Sequence, residues 1–434
     1  MKATIDRSIL KGKVFAPPSK SYTHRAVVIS ALSDQTTVHR PLLSADTLAS
    51  VKACKALGAG IHQENNNLII NGVKGHPKLA DNVIDVANSG TTLRLIMAVS
   101  ALCNGTIVLT GDDSIRTRPN TPLIRALNDL GAEVFSTKDN GTAPIIVRGP
   151  MSGGEAVIDG SISSQFFSAL LIACPLCPDE TVIQVKGELK SRPYVDITLE
   201  MLKTAGIEIH IEKGIKQNLK FIIPPNQSYS LSEYTVPGDF SSTSYLLAAG
   251  ALAGNGITIN GIFPSSQGDA AIISILQDMG ADLTWDKQHG VVTVNKSQLH
   301  GINVDVGMTP DLVPTLSVLG AVCEGEMVIE NAEHVRFKET DRLNAMTVEL
   351  SKMGVDITQE PDRLLIKGTG TGLHGAQVHG WHDHRIVMAL TVAGMVAGDT
   401  TIDTIESVDV SFPGFFDVIQ RLGGNITINP SIQT

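Results

Sequence analysis

The sequence predicts an α/β protein of two domains, each an inside-out α/β barrel in which buried helices are surrounded by sheets. Three observations support this prediction. A helix-ending glycine recurs through the chain, one apolar helix lies in each interval, and β-branched strands flank that helix. At 434 residues the chain is also long enough for two domains.

The recurring glycine stands at the end of an amphipathic segment each time. Successive copies are separated by 73, 75, 74, 74 and 69 residues. The six positions are Gly58, Gly131, Gly206, Gly280, Gly354 and Gly423. Glycine is favoured just past a helix end because it adopts the left-handed conformation without steric strain. Six copies of one structural repeat are therefore predicted.

Each repeat reads βαβαββ. Its first helix is apolar nearly all round, and such a helix must be buried on every side. These helices are predicted at 26–32, 93–102, 166–173, 245–253, 312–322 and 386–396. A β-branched strand follows, then an amphipathic helix that ends at the glycine, then a pair of strands. This order places the helices inside and the sheets outside, with three repeats in each domain.

The sixth repeat ends one strand short, at 425–428. The N-terminal segments 3–5 and 13–15 could supply what is missing. We therefore expect a discontinuous domain of residues 1–17 and 237–434, with repeats four to six. Residues 18–236, with repeats one to three, would form an inserted domain.

Composition narrows the possible function. The formal net charge of −10 argues against non-specific binding to nucleic acid or anionic membranes, which requires a basic excess. The N-terminus lacks a signal-type apolar core, and the longest apolar stretches are shorter than a membrane span. We expect a soluble, cytoplasmic protein.

Metal and nucleotide sites are not expected. The five cysteines are an odd number and are widely spread, which is typical of reduced core thiols. Cys174 and Cys177 have the CxxC spacing, but no second pair or nearby histidine completes a zinc set. The cluster His379, His382 and His384 also lacks a closed ligand set, and no phosphate-binding P-loop occurs.

Polar residues collect where each apolar helix is predicted to begin. The segments are 19–25, 88–94, 163–165, 238–242, 309–311 and 382–385. One capping residue per helix is structural, but Lys20, Arg25, Arg94 and Arg385 exceed that need. Buried cations are costly unless they face a polar cleft or an anion, and helix N-termini favour anions. Two basic segments, 116–119 and 336–342, add to this anion-selective set.

At these motifs the sequence resembles the 5-enolpyruvylshikimate-3-phosphate synthase family. The motifs are Pro18-Ser19-Lys20-Ser21 with Arg25, Asn88-Ser89-Gly90-Thr91 with Arg94, Arg118-Pro119, Ser163-Ser164-Gln165, Lys338-Glu339-Thr340-Asp341-Arg342 and Asp383-His384-Arg385. They occur in order along nearly the whole chain. The resemblance implies a monomer with its active site in an interdomain cleft, no cofactor, and glyphosate as a competitor.

The implied reaction transfers the enolpyruvyl group of phosphoenolpyruvate to the 5-hydroxyl of shikimate 3-phosphate. Phosphate leaves from a tetrahedral intermediate, and the product feeds chorismate and aromatic amino acid biosynthesis. Such chemistry needs an acid, a base and cations over phosphate and carboxylate groups. The resemblance assigns proton acceptance to Asp311 and proton donation to Glu339, and includes Lys20 among the catalytic residues.

The resemblance also assigns the binding residues. Shikimate 3-phosphate would be held by Lys20, Ser21, Arg25, Ser163, Ser164, Gln165, Ser191, Asp311 and Lys338. Phosphoenolpyruvate would be held by Lys20, Gly90, Arg118, Gln165, Arg342 and Arg385. The pocket would be shaped by Asn88, Thr91, Arg94, Tyr194, Asp383 and His384.

The sequence departs from the family pattern at three places. Val410 stands where a lysine often precedes the Phe-Pro of the last repeat, which puts one phosphoenolpyruvate contact in doubt. His24 and His334 stand where an asparagine is often found.

Two alternatives remain. The sister enzymes transfer enolpyruvate to UDP-N-acetylglucosamine, but they typically carry a cysteine in a loop that corresponds to 112–121, where this chain has none. A non-catalytic repeat protein that binds a partner would explain the periodicity but not the cations in buried helices.

Overall fold

A computed structural model describes residues 1–213, 219–370 and 372–429. The chain divides into two compact units. We call Met1–Pro17 with Pro237–Thr434 the split unit, and Pro18–Val236 the continuous unit. Residues 430–434 of the expected discontinuous domain lie outside the described residues. No helix in the described ranges is long and apolar enough to cross a membrane.

Each repeat contributes two α-helices. They are α1 Lys20–Leu32, α2 Ala45–Ala56, α3 Gly90–Ser100, α4 Thr121–Asp129, α5 Ser164–Ala173, α6 Pro193–Thr204, α7 Phe240–Ala253, α8 Ile272–Asp278, α9 Val313–Val322, α10 Arg342–Lys352, α11 His384–Ala397 and α12 Phe415–Arg421. The odd-numbered helices are the predicted apolar ones, and all fourteen residues of α7 are buried. Each even-numbered helix ends two residues before its glycine, and all six glycines have φ between 80° and 102°.

Short 3₁₀ helices precede or follow several α-helices, and one of them carries the predicted site residue Asp311. They are Ile115–Thr117, Cys174–Leu176, Gly268–Ala271, Pro310–Leu312, Glu333–Phe337 and Ile405–Val410.

The strands form four-stranded sheets, one per repeat. The first twelve are β1 Lys2–Ile5, β2 Leu10–Phe15, β3 Gln35–His39, β4 Gly60–Glu64, β5 Asn67–Asn71, β6 Val83–Asp85, β7 Gly105–Thr110, β8 Glu133–Ser136, β9 Ile145–Gly149, β10 Gly154–Asp159, β11 Thr181–Lys186 and β12 His210–Lys213. The others are β13 Leu219–Ile223, β14 Glu233–Thr235, β15 Gly254–Asn260, β16 Leu283–Asp286, β17 Val291–Val294, β18 Asn303–Asp305, β19 Glu326–Glu330, β20 Asp356–Glu360, β21 Arg363–Lys367, β22 Gln377–Val378, β23 Thr400–Asp403 and β24 Ile426–Asn429.

The sheets of both units share one topology. The continuous unit has the strand orders β14-β3-β5-β4, β6-β7-β9-β8 and β10-β11-β13-β12. The split unit has β2-β15-β17-β16, β18-β19-β21-β20 and β22-β23-β1-β24. In each sheet the strand before the buried helix pairs in parallel with the strand after it, except where the chain crosses between units. The other two strands pair with each other in antiparallel orientation.

The N-terminal strands correct one prediction. Strand β1 lies between β23 and β24 and completes the sixth sheet, as expected for 3–5. The segment 13–15 does not belong there, because β2 pairs in parallel with β15 in the fourth sheet. The fourth sheet needs this strand because β14, which precedes α7 in the chain, pairs with β3 of the first sheet.

Each unit has its own core. In the split unit α11 packs against α7 and α9, and strands pack on these helices from outside. In the continuous unit α3 packs against α1 and α5. Strands such as β7 and β11 alternate buried and less buried residues. The polar first turns of the buried helices carry many of the predicted site residues.

Candidate active site

In the split unit, Arg342 is the centre of an ion-pair network that we call the Arg342 cluster. Its Nε donates to Asp383 Oδ2 at 2.8 Å, Nη1 to Asp311 Oδ1 at 2.9 Å, and Nη2 to Glu339 Oε2 at 2.7 Å. Arg342 is almost fully buried. Burial opposes its charge, but Asp383, Glu339 and Asp311 override that effect and raise the pKa of Arg342.

Two more cations complete the Arg342 cluster. Arg385 Nη2 donates to Asp311 Oδ2 at 2.8 Å, so both oxygens of this carboxylate bind a guanidinium. Lys338 Nζ lies 3.6 Å from Asp311 Oδ1. Burial lowers the pKa of Lys338, and Asp311 partly offsets this shift. The cluster therefore holds three cations and three carboxylates on a few helix starts.

Local structure explains why these side chains meet. Asp383 is the N-cap of α11 and accepts from the backbone N–H of Arg385 at 2.9 Å. Asp341 is the N-cap of α10, which begins at Arg342. Asp311 lies in the 3₁₀ turn that enters α9. Each charged side chain is thus placed within one turn of a helix N-terminus.

Asp269 is a buried carboxylate of the same unit that sequence reasoning missed. It accepts a short hydrogen bond from Ser241 Oγ in the first turn of α7. Burial, strengthened by the charge of Asp311, raises the pKa of Asp269 to about 7, although Arg385 acts in the opposite direction. In the sequence, the signal that could have indicated this carboxylate was the segment Gln267-Gly268-Asp269, which does not belong to a long helix.

In the continuous unit, Lys20 anchors a second network, which we call the Lys20 cluster. Lys20 begins α1, and its Nζ lies 3.0 Å from Asp46 Oδ2 in the first turn of α2. His24 Nε2 lies 3.6 Å from the same oxygen. Burial alone would raise the pKa of Asp46, but Lys20 and His24 lower it well below its ordinary value. Sequence reasoning missed Asp46, because an Asp in a first turn is usually explained by the helix dipole.

Arg25 is buried one turn further into α1. Its guanidinium donates to Thr198 Oγ1 at 2.7 Å, to Ser168 Oγ at 3.1 Å, and to the carbonyl oxygens of Ser21 and Tyr194 at 2.9 Å. No carboxylate of the described residues pairs with it. Burial lowers the pKa of Arg25 to about 10.

Arg94, on α3, connects two helix starts. Its Nη1 donates to Gln165 Oε1 at 2.6 Å and to Ser163 Oγ at 3.2 Å. Gln165 Nε2 donates in turn to Thr91 Oγ1 at 3.0 Å. Ser163 caps α5 by accepting from the N–H of Gln165. The polar starts of α3 and α5 are therefore directly linked.

Arg118 follows a 3₁₀ turn and lies against the start of α3. A Cβ built on Gly90 would lie 2.8 Å from Arg118 Nη1. Any residue other than glycine at this position would therefore displace the guanidinium. Arg118 Nη2 donates to Ser114 Oγ at 3.1 Å. Its buried Nε has no hydrogen-bond partner within the described ranges.

Other predicted residues lie on the same loops and helix starts. Asn88 Nδ2 donates to Asp112 Oδ2 at 2.9 Å. Ser164 is the first residue of α5 and is buried. Ser191 is buried with φ 53°, in the turn before α6, where Tyr194 stands in the first turn. His384 Nδ1 lies 3.8 Å from Asp383 Oδ1. Val410 ends a 3₁₀ helix and is partly exposed.

The predicted residues are divided between the two units. The split unit holds Asp311, Lys338, Glu339, Arg342, Asp383, His384 and Arg385. The continuous unit holds Lys20, Ser21, Arg25, Asn88, Gly90, Thr91, Arg94, Arg118, Ser163, Ser164, Gln165, Ser191 and Tyr194. Among the described side chains, no group of three or more His, Cys, Asp or Glu is placed to hold a metal ion. All five cysteines are buried thiols.

Comparison with known proteins identifies the family. The sequence matches the family model of EPSP synthase (3-phosphoshikimate 1-carboxyvinyltransferase) over residues 6–419. The 3-phosphoshikimate 1-carboxyvinyltransferase of Methanococcoides burtonii is 60% identical over 429 residues, covering 99% of this chain and 100% of the relative. The protein of the same name from Methanosarcina mazei is 57% identical over 428 residues, covering 98% and 99%.

A solved structure gives the same result. EPSP synthase from Acinetobacter baumannii matches with a TM-score of 0.83 and 27% identity, over 99% of this chain and 100% of that chain. This likeness confirms the predicted two-domain α/β fold. The chain belongs to the EPSP synthase (3-phosphoshikimate 1-carboxyvinyltransferase) family.

Proposed function

We propose that this chain transfers the enolpyruvyl group of phosphoenolpyruvate to the 5-hydroxyl of shikimate 3-phosphate and releases phosphate. The observation that carries the proposal is the Arg342 cluster. Asp311 and Glu339 both bind the Arg342 guanidinium, at 2.9 and 2.7 Å. Two carboxylates beside three cations provide proton transfer and anion binding in one place.

The reaction needs three proton transfers. The acceptor hydroxyl adds to C2 of phosphoenolpyruvate and loses its proton, while C3 gains a proton. The tetrahedral intermediate then loses phosphate, and C3 gives up a proton to restore the double bond. Asp311 would accept the hydroxyl proton and Glu339 would protonate C3. Lys338, Arg342 and Arg385 would stabilise the carboxylate and phosphate charges of the donor.

The continuous unit would hold the remaining anionic groups. Arg25 is a buried cation bound only by neutral oxygens among the described residues, which suits a phosphate. Lys20 is held at the start of α1, where the positive end of the helix dipole and the ammonium group both attract anions. Arg118 presents its guanidinium beside Gly90. These residues, with Ser163, Ser164, Gln165 and Ser191, would bind shikimate 3-phosphate and phosphoenolpyruvate as the family resemblance implies.

The assay is release of phosphate from phosphoenolpyruvate. We expect release with shikimate 3-phosphate and none with UDP-N-acetylglucosamine. Release that is independent of acceptor, or that requires UDP-N-acetylglucosamine, would overturn the proposal. The family match and the absence of cysteine in 112–121 both weigh against the UDP-sugar reaction.

We also propose that the protein is a cytoplasmic monomer that binds neither nucleic acid nor membranes. The net charge of −10 supports the absence of non-specific nucleic-acid binding. Sedimentation of the purified protein would show a single species of 46.0 kDa. A larger species would exclude the monomer.

A further inference from the structure

His24 occupies the centre of the Lys20 cluster without a role in the reaction above. It is 1% exposed and faces Asp46 on one side, with Nε2 3.6 Å from Oδ2. On the other side its Nδ1 lies 2.8 Å from Ser50 Oγ, within hydrogen-bonding distance. Ser50 Oγ lies 2.7 Å from Thr92 Oγ1 on α3. A buried imidazole thus joins a carboxylate to a chain of hydroxyl groups.

Few charged groups surround this imidazole. Among the described residues, Asp46 from α2 lies against it, and the same carboxylate oxygen also pairs with Lys20 at the start of α1. The groups that approach from α2 and α3 on the Nδ1 side are the hydroxyls of Ser50 and Thr92. Asp46 is therefore the acidic group that faces the imidazole.

Asp46 Oδ2 is shared by two potential partners. Lys20 Nζ is the nearer, at 3.0 Å, and makes a buried ion pair. An anion that binds Lys20 draws the ammonium toward itself and leaves Asp46 less neutralised. An unpaired carboxylate is unfavourable in a buried position, so a second cation beside it becomes favourable.

We propose that His24 takes up a proton when an anionic substrate binds Lys20, and thereby replaces the ammonium as the partner of Asp46. This inference rests on the proposed function, because it requires Lys20 to contact the substrate. His24 is a positioning residue in this scheme, since it acts on Lys20 through Asp46.

The hydrogen-bond network can accept the added proton without losing a bond. In the charged imidazolium both ring nitrogens are donors. Nε2–H then points to Asp46 Oδ2, and Nδ1–H donates to Ser50 Oγ. Ser50 can turn its own hydrogen toward Thr92 Oγ1, 2.7 Å away.

Calorimetry tests the proposal by counting protons. Shikimate 3-phosphate is titrated into the protein at about pH 8, where its phosphate is already ionised. Buffers of different ionisation enthalpy are compared, and the slope gives the protons taken up. We expect the wild-type protein to take up a fraction of a proton, up to about one per chain.

Variants assign that proton. H24N and H24Q, which keep a polar side chain beside Ser50, should lose the uptake. D46N should also lose it, because a neutral amide needs no cation. H62N, which removes an exposed histidine of β4 in the same unit, is the matched control and should keep the wild-type slope.

Two outcomes overturn the inference. If H24N and H24Q bind shikimate 3-phosphate with the wild-type proton uptake, the proton goes elsewhere. If the wild-type protein binds with no uptake, Lys20 stays on Asp46. Failure of the wild-type protein to bind shikimate 3-phosphate at all would instead refute the proposed function. Should both His24 variants fail to fold, uptake retained in D46N would equally contradict the scheme.

Discussion

Replacement of Arg342 by methionine would remove the cation that joins three carboxylates in the split unit. Arg342 and Asp383 are 1% and 0% exposed, and Asp311 and Glu339 are 14% and 18% exposed. Methionine keeps an apolar stem of similar length but has no charge. Asp383 would then be a buried carboxylate without its main partner.

Breaking a buried ion pair from one side destabilises a protein by about 3–5 kcal/mol. Arg385 still contacts Asp311 in the variant, so Asp383 accounts for most of the loss.

Urea unfolding followed by tryptophan fluorescence measures this effect. Both tryptophans, Trp285 and Trp381, lie in the split unit, so the signal reports on that unit. The control is R363M, because Arg363 is 38% exposed and its partners Glu360 and Asp362 are also solvent-accessible. An exposed pair contributes at most about 1 kcal/mol. If R342M unfolds at the same urea concentration as R363M, Arg342 is not a stabilising centre and the reasoning fails.

Four further substitutions test other parts of the site. G90A places a methyl group 2.8 Å from Arg118 Nη1 and would displace the guanidinium. Loss of one charged hydrogen bond to the substrate should raise the KM for phosphoenolpyruvate by about 10–100-fold and weaken competition by glyphosate. An unchanged KM would show that Arg118 does not bind this substrate. E339Q should lower kcat by about 10²–10⁴-fold, because it removes the proposed proton donor. K20M should also nearly abolish turnover, and the circular dichroism spectrum should be unchanged in both variants. A wild-type rate in either variant would remove that residue from the mechanism. Burial raises the pKa of Asp269 to about 7 in the folded protein, so the carboxylate destabilises the fold increasingly from about pH 4 to about pH 7. D269N should gain stability over the wild type at pH 8 but much less at pH 5, as urea titrations would measure, and an equal difference at both pH values would contradict this account.

The repeat architecture was predictable because its signals are local. A glycine such as Gly131 ends its helix with φ 93° whatever its distant neighbours are. A helix such as α7, which is apolar over 245–253, also needs no partner to be recognised as buried. The sheet to which β2 belongs was not predictable in this way. It depends on the pairing of β14 with β3, far away in the chain.

The site was predictable in its residue types but not in its connections. Motifs at helix starts indicated Asp311, Glu339 and Arg342, yet no sequence pattern shows that one guanidinium binds both carboxylates. Asp46 and Asp269 escaped for a related reason. Each is a single acidic residue outside the polar starts of the apolar helices, and its importance comes from burial beside partners on other elements.

The most direct test of the account is identification of the product when both acceptors compete. The purified protein is given phosphoenolpyruvate with equal shikimate 3-phosphate and UDP-N-acetylglucosamine, and the products are examined by proton and phosphorus magnetic resonance. The account predicts one new compound, shikimate 3-phosphate with an enolpyruvyl ether at its 5-oxygen, formed in equal amount to the phosphate released. Phosphate release without that ether, or an enolpyruvyl group on the UDP-sugar, would contradict it.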